Sequence, residues 1–357
     1  MPARRLLRVA AAVTRWWRLA LLALVLAALL VLLVARVAWE RWQAPLRLPE
    51  SGLLLTVYPG DSLRSVAERL QAEGVLPHPE LLLLWARYHR LDARIRRGEY
   101  ALEPGLTAES LLALLVSGRV VQYQVTLPEG IVVAQAIAIL QRENALESVL
   151  SGPDDARLLQ LVAPYEAVEG LFLPETYRYE RGDSDLDILR RAHRALLEAL
   201  EQEWAIRDAD LPYASPYEAL IMASIIERET GVPEERGEIA GVFVRRLQRG
   251  MRLQTDPTII YGLGDAFDGN LRRSHLQDAD NLFNTYRHDG LPPTPIALPG
   301  RAALQAALQP AAGETLFFVA RGDGSHEFNT TLEGHERAVR KYQLQRREDY
   351  RSSPESP

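Results

Sequence analysis

The sequence predicts an α+β protein carried on a single N-terminal transmembrane helix. Three observations predict it. Leu19 to Ala35 is an unbroken apolar run of 17 residues. Beyond it, short strand-like runs alternate with amphipathic helical patterns. No 20–50-residue repeat organises the chain into a solenoid or propeller.

The apolar run reaches twenty residues when Arg36, Val37 and Ala38 are added, about the length that spans a roughly 30 Å hydrocarbon core. Arg36 sits near its outer end, where a long side chain can reach the headgroups. Trp16 and Trp17 precede the run, and Trp39 and Trp42 follow it, as an aromatic belt would. Five arginines precede it, so residues 1–18 are expected in the cytoplasm and the rest outside. A cleaved signal peptide is the competing reading, but the core is long, and Arg36, Glu40 and Arg41 stand where a small-residue cleavage site would. Residues 19–38 are therefore read as an uncleaved anchor, followed by a stalk over 39–52.

Charge is divided unevenly. Residues 1–38 hold six arginines and no acid, so with an overall formal charge of −6 the remainder carries −12. An acidic body argues against nucleic acid as partner, because phosphate binding needs a basic stripe. The chain has no cysteine, which excludes disulfides, zinc–thiolate sites and thiol nucleophiles.

Leu53–Val57 reads as a strand, and Pro59-Gly60-Asp61-Ser62 as a turn into a helix with Leu63, Val66, Ala67 and Leu70 on one face. A second helix is expected from Pro79 to about Leu91, then a strand over 98–102, a helix over Thr107–Ser117, and a strand over Val120–Leu127. This small βααβ module, placed at 53–125, resembles a LysM-like glycan-binding module through Val57-x-x-Gly60-Asp61-Ser62-Leu63 with Val66-Ala67. Helices are expected over Ala134–Leu140, Gly152–Pro164 and Ser184–Trp204, with a rigid loop or edge strand at 169–179. Thr315–Ala320 and Glu327-Phe328 read as a hairpin closed by Gly322-Asp323-Gly324. The catalytic region is placed at 126–345, and 346–357 is expected to be a disordered tail.

The chemistry concentrates on one helix. Ser215 caps it, Pro216 occupies the first turn and Glu218 completes a capping box. Ala219 to Ile226 is apolar all round, so the helix should be buried, and it ends on Glu227-Arg228-Glu229-Thr230. Glu227 shares the face of Ala223 and Leu220. Burial and the negative end of the helix dipole should both raise its pKa, as a general acid requires. Glu229 lies about 200° around the helix and is expected to face solvent or an arginine. Taken alone, Glu227 is more readily a surface or salt-bridged acid at a helix end. Downstream, Asp256 and Pro257 read as the cap and first residue of a short helix, with Gln254 and Thr255 on its rigid entry. Asn284, Tyr286 and the proline-rich Gly290–Gly300 suit a sugar-binding wall, although they are also ordinary turn chemistry. His326 and His335 have no third ligand nearby, and no HExxH, GxSxG or P-loop pattern occurs, so neither a metal nor a cofactor is expected.

Six ordered motifs then carry a family resemblance: Leu127-Pro-Glu-Gly130, Glu169-Gly-Leu-Phe-Leu-Pro-Glu-Thr-Tyr177, Ala223-Ser-Ile-Ile-Glu-Arg-Glu-Thr230, Arg252-Leu-Gln-Thr-Asp-Pro-Thr258, Asn284-Thr-Tyr286 with Gly290-Leu-Pro-Pro293, and Phe318-Val-Ala-x-Gly-Asp-Gly-x-His326. Together they resemble the endolytic murein transglycosylase family (MltG, or YceG-like). The resemblance implies a lytic transglycosylase of peptidoglycan glycan strands in the inner membrane, with a periplasmic catalytic domain. It implies work beside the wall-synthesis machinery, with peptidoglycan synthases (penicillin-binding proteins) as expected partners. It assigns the catalytic acid/base to Glu227. Gln254, Thr255, Asp256, Asn284, Tyr286 and Glu169 are the substrate-binding candidates. Two other readings stay open from the residues: a non-catalytic glycan-binding scaffold, and a hydrolase in which Asp256 or Glu169 supplies a second carboxylate.

Overall fold

The structure is a computed structural model and describes residues 3–344. The expected disordered tail at 346–357 lies outside them. The described residues form a mixed helix-and-sheet protein with three separate two-stranded antiparallel sheets. The described chain divides into two compact units, Met1–Gln122 with Glu180–Gly182, and Tyr123–Tyr179 with the chain from Asp183 onward.

The first unit begins with α1 (Ala3–Gln43), whose apolar part, Ala20–Gln43, is long enough to cross a membrane. Every leucine and valine from Leu21 to Val34 is exposed, so no protein core covers this surface. The helix runs past the expected end at residue 38. Residues 39–52, expected as a stalk, instead place Trp42 and Leu46 in a core. The Leu46 N–H donates to the Leu106 carbonyl at 2.7 Å and the Arg47 N–H to that of Val75 at 3.0 Å.

Strand β1 (Leu53–Val57) pairs antiparallel with β2 (Gly98–Leu102), from Leu53 opposite Leu102 to Val57 opposite Gly98. Between them run α2 (Leu63–Ala72) and α3 (Pro79–Tyr88), and α4 (Ala108–Ser117) follows. Ser62 caps α2 by accepting from the Ser65 N–H at 3.1 Å. All four residues of the face read from the sequence, Leu63, Val66, Ala67 and Leu70, are buried. Tyr100 fills the centre and its hydroxyl donates to the Arg96 carbonyl at 2.7 Å, so the buried phenol keeps a partner.

The second unit opens with β3 (Tyr123–Thr126), which pairs with β4 (Thr176–Tyr179). Its core is helical: α5 (Val133–Leu140), α6 (Ala156–Val162), α7 (Asp185–Ala205), α8 (Pro216–Glu229), α9 (Arg236–Gln248) and α12 (Arg301–Leu308) surround it. Two short helices, α10 (Asp256–Leu263) and α11 (Arg273–Gln277), precede α12. The hairpin of β5 (Phe317–Ala320) and β6 (His326–Asn329) follows it, and α13 (Leu332–Val339) comes last.

Helix α8 sits at the centre, with Ala219 to Ile226 all buried. The Ser215 hydroxyl accepts from the Glu218 N–H at 3.4 Å, while the Glu218 carboxylate accepts from Ala214 rather than from Ser215. Ser224, the small polar residue near the end of this helix, is fully buried. Its hydroxyl donates to the Ile221 carbonyl at 2.7 Å and accepts from the Ile296 N–H at 2.9 Å. The small residue makes room for the proline-rich loop, not for substrate.

Candidate active site

That loop decides what the end of α8 does with its two glutamates. Pinned at Ile296, the chain runs on to Gly300, whose N–H donates to Glu227 Oε2 at 2.9 Å. Arg236 approaches the other carboxyl oxygen at 3.4 Å and also lies 3.6 Å from Glu129. The Glu227 side chain is only 5% exposed. Burial pushes its pKa up, and the charge of Glu129 pushes the same way against the Gly300 N–H and Arg236.

Glu229 is placed differently from expectation. It lines a cleft of about 580 Å³ together with Gln254, Thr255, Asp256 and Tyr286. Glu227 is absent from that lining. The Thr255 hydroxyl donates to Glu229. Burial pushes the Glu229 carboxyl up to about 7, with Asp256's charge adding and Thr255 and Arg246 opposing. The expected arginine neighbour exists as Arg246, but the site is a desolvated cleft and not the solvent face.

Arg246 is buried in α9 and donates to the Leu316 and Leu253 carbonyls, both at 2.7 Å. Those bonds fix the guanidinium in the cleft wall. Sequence gave no signal for it, since an arginine on an amphipathic helix reads as a solvated face. At the far wall stand His326 and His335. His326 Nδ1 lies 2.7 Å from Glu235, and His335 stacks on Phe317 with ring centroids 5.3 Å apart.

The binding candidates separate into two groups. Gln254, Thr255, Asp256 and Tyr286 come together in the cleft. Gln254 holds a left-handed backbone (φ +52°), and its N–H donates to the Thr285 carbonyl at 3.2 Å. Thr255, not Asp256, takes the cap position of α10. Tyr286 donates to Asp256 at 2.8 Å.

Asn284 and Glu169 do other work. Asn284 is fully buried, and its amide donates to the carbonyls of His275, Leu276 and Asp278 at 3.0, 3.4 and 2.6 Å. Its side-chain oxygen accepts from the Tyr286 N–H at 3.0 Å. With its donors and acceptor engaged, Asn284 organises the loop instead of holding substrate. Asn284→Ala is therefore expected to destabilise the protein by about 2–4 kcal/mol, since it strands buried carbonyls. Thermal unfolding measures this; an unchanged Tm with weaker glycan binding would restore a direct binding role. Glu169 caps α5 by accepting from the Val133 N–H at 3.1 Å, and it also accepts from Tyr261 at 3.3 Å. Burial pushes its carboxyl up to about 7 against both bonds.

The model described as the YceG-like family matches residues 55–341. The chain belongs to the YceG-like family. Among the family's relatives, the endolytic murein transglycosylase of Bacillus subtilis strain 168 is 28% identical over 305 residues, covering 79% of this chain and 82% of its own length. That of Streptococcus pneumoniae strain D39 is 25% identical over 322 residues. The match covers 78% of this chain but only 56% of the streptococcal protein. A crystal structure of a YceG-like protein from Listeria monocytogenes superposes with a TM-score of 0.50 at 25% identity, covering 81% of this chain and 99% of that one. Family membership accounts for the order of the six motifs, five of which meet at the cleft or the end of α8.

Proposed function

We propose that this chain is a membrane-anchored endolytic transglycosylase of peptidoglycan, and that Glu229 is its acid/base. The observation that carries the proposal is one desolvated carboxyl, with a pKa near 7, in the wall of the 580 Å³ cleft. The names of the bacillary and streptococcal relatives supply the substrate class. Glu227, to which the sequence reading gave this role, is instead engaged by Gly300 and Arg236.

In this reading Glu229 protonates the glycosidic oxygen between N-acetylmuramic acid and N-acetylglucosamine. The resulting carboxylate then takes the proton of the muramic 6-hydroxyl as that oxygen attacks C1. The strand ends in a 1,6-anhydro sugar, and one carboxyl serves both steps where a hydrolase needs two. Arg246 holds the position opposite the charge that Glu229 gains. Gln254, Asp256 and Tyr286 offer the amide, carboxylate and phenol that sugar hydroxyls need.

The remaining parts follow the same reading. Helix α1 anchors the chain in the inner membrane, the arginine-rich start lies in the cytoplasm, and both units are periplasmic. The small unit acts as a LysM-like module and contributes glycan affinity. Penicillin-binding synthases supply the nascent strands on which the enzyme acts.

Digestion of purified peptidoglycan by the full-length protein, with products read by mass spectrometry, tests the proposal. Internal cuts that leave 1,6-anhydromuramic ends are expected. Reducing ends would make the enzyme a hydrolase, with Asp256 the nearest candidate for the second carboxylate.

A further inference from the structure

The small unit carries a face that neither the cleft nor the anchor accounts for. On α3, Leu81, Leu84, Trp85 and Tyr88 recur at i, i+3, i+4 and i+7, so they share one side of the helix. The helix buries Leu82 and Ala86 in the core. On the shared side Leu84 is 68% exposed and Tyr88 81% exposed.

This side begins at the end of the anchor. The Trp85 and Trp42 rings lie 5.0 Å apart. Leu81 lines a recess of about 150 Å³ with Arg41, Trp42, Arg47 and His78. The apolar span Ala20–Gln43 has 24 residues. At 1.5 Å each it rises about 36 Å against a hydrocarbon core of about 30 Å. The turn holding Trp39 and Trp42 therefore falls at headgroup depth, where tryptophan and tyrosine concentrate. The contact of Trp85 with Trp42 holds α3 at the same level.

Charge distribution agrees. Between residues 87 and 97 stand Arg87, Arg90, Arg94, Arg96 and Arg97, all exposed, against the single acid Asp92. The chain beyond residue 38 is otherwise strongly acidic. A basic segment beside exposed leucine and tyrosine is the pattern of a surface that lies on anionic lipid.

We propose that α3 and the arginine-rich loop after it rest on the anionic phospholipid surface from which α1 emerges. Leu84 and Tyr88 enter the headgroup–acyl boundary, and the arginines meet lipid phosphates. The small unit is thereby seated on the bilayer at two places, α1 and α3. The proposal rests on the reading of α1 as a membrane span.

The absence of cysteine makes the test direct. Leu84→Cys, Tyr88→Cys, Val31→Cys and Glu73→Cys are made singly in the full-length chain and labelled with an environment-sensitive fluorophore. The protein is reconstituted in nanodiscs of phosphatidylcholine with or without phosphatidylglycerol, containing nitroxide lipids at headgroup or mid-bilayer depth. The label at 31 reports insertion independently of docking. Labels at 84 and 88 are expected to be quenched by headgroup nitroxides in the anionic discs, while that at 73 stays in water. Removing phosphatidylglycerol, or combining Arg90→Glu with Arg94→Glu, should reduce the quenching severalfold. Quenching at 31 with water-exposed labels at 84 and 88 would overturn the docking and leave the anchor standing. No quenching at 31 would overturn the anchor and the docking together. Equal quenching in neutral discs would overturn the role of the arginines. Protection of 84 and 88 by added glycan strands, with no response to lipid, would give this face to the substrate instead.

Discussion

Glu229→Gln is expected to lower kcat for glycan cutting by about a thousand-fold, within the range general acid–base groups contribute. Glutamine keeps the size of the side chain and can still accept from Thr255, so binding should survive while proton transfer does not. Glu227→Gln should cost about ten-fold or less, because an amide oxygen can still accept the Gly300 N–H. The pH profile gives a second test. Glu229 must be protonated to act as the acid, and its carboxyl is pushed up to about 7. Activity should therefore hold below that value and fall as pH rises through it, the acid form being the one depleted. The reverse pattern, an inactive Glu227→Gln and an active Glu229→Gln, would return the role to Glu227. Assays of anhydro-end formation across pH with both variants decide the matter.

Gly170→Ala should be among the most destabilising single changes in the second unit. Gly170 sits at φ +77°, a backbone that alanine adopts only under strain. A Cβ there would fall 2.3 Å from the Pro295 Cβ and 3.3 Å from the Ala297 carbonyl oxygen. Neither neighbour can retreat, because Ile296 between them is tied to Ser224. Strain and overpacking together should remove about 3–5 kcal/mol, a large part of a domain's stability. Gly290→Ala is the matched control, with φ +81° and nothing within 4 Å of the added carbon. It should cost about 1 kcal/mol, from backbone strain alone. Urea unfolding of both variants separates the clash from the strain, and equal losses would show that the proline-rich loop yields.

Much of this architecture is legible in the sequence where local rules agree with the fold. Ser62 and Ser215 announce helix starts that the structure keeps, and the face Leu63, Val66, Ala67, Leu70 is buried as its spacing requires. The hairpin at 317–329 follows from its glycine turn and apolar strands. What the sequence does not carry is which way a helix end meets its neighbours. Glu227 and Glu229 differ by two residues and by half a turn of azimuth. The choice between them is made by Gly300 and Thr255, some 73 and 26 positions away. Asn284 misled for a related reason. An asparagine beside a tyrosine and a proline-rich loop has the composition of a sugar site, and only the carbonyls around it reveal an internal brace. Arg246 was invisible because a buried arginine is identified by the carbonyls it meets, which come from residues 253 and 316.

The brace at Asn284 bears on what a ligand must do on arrival. Three carbonyls and one N–H are satisfied by a single amide, and the Thr258 and Thr285 hydroxyls bond to each other and to the Thr255 backbone. This rim of the cleft is thus braced by its own hydrogen bonds before any ligand arrives. A sugar entering it need not freeze a loop, so little conformational entropy is lost on the protein side. Recognition there should be governed by heat released and water displaced, and oligosaccharides stiffened into the seated conformation should gain more affinity than flexible ones of equal contact area.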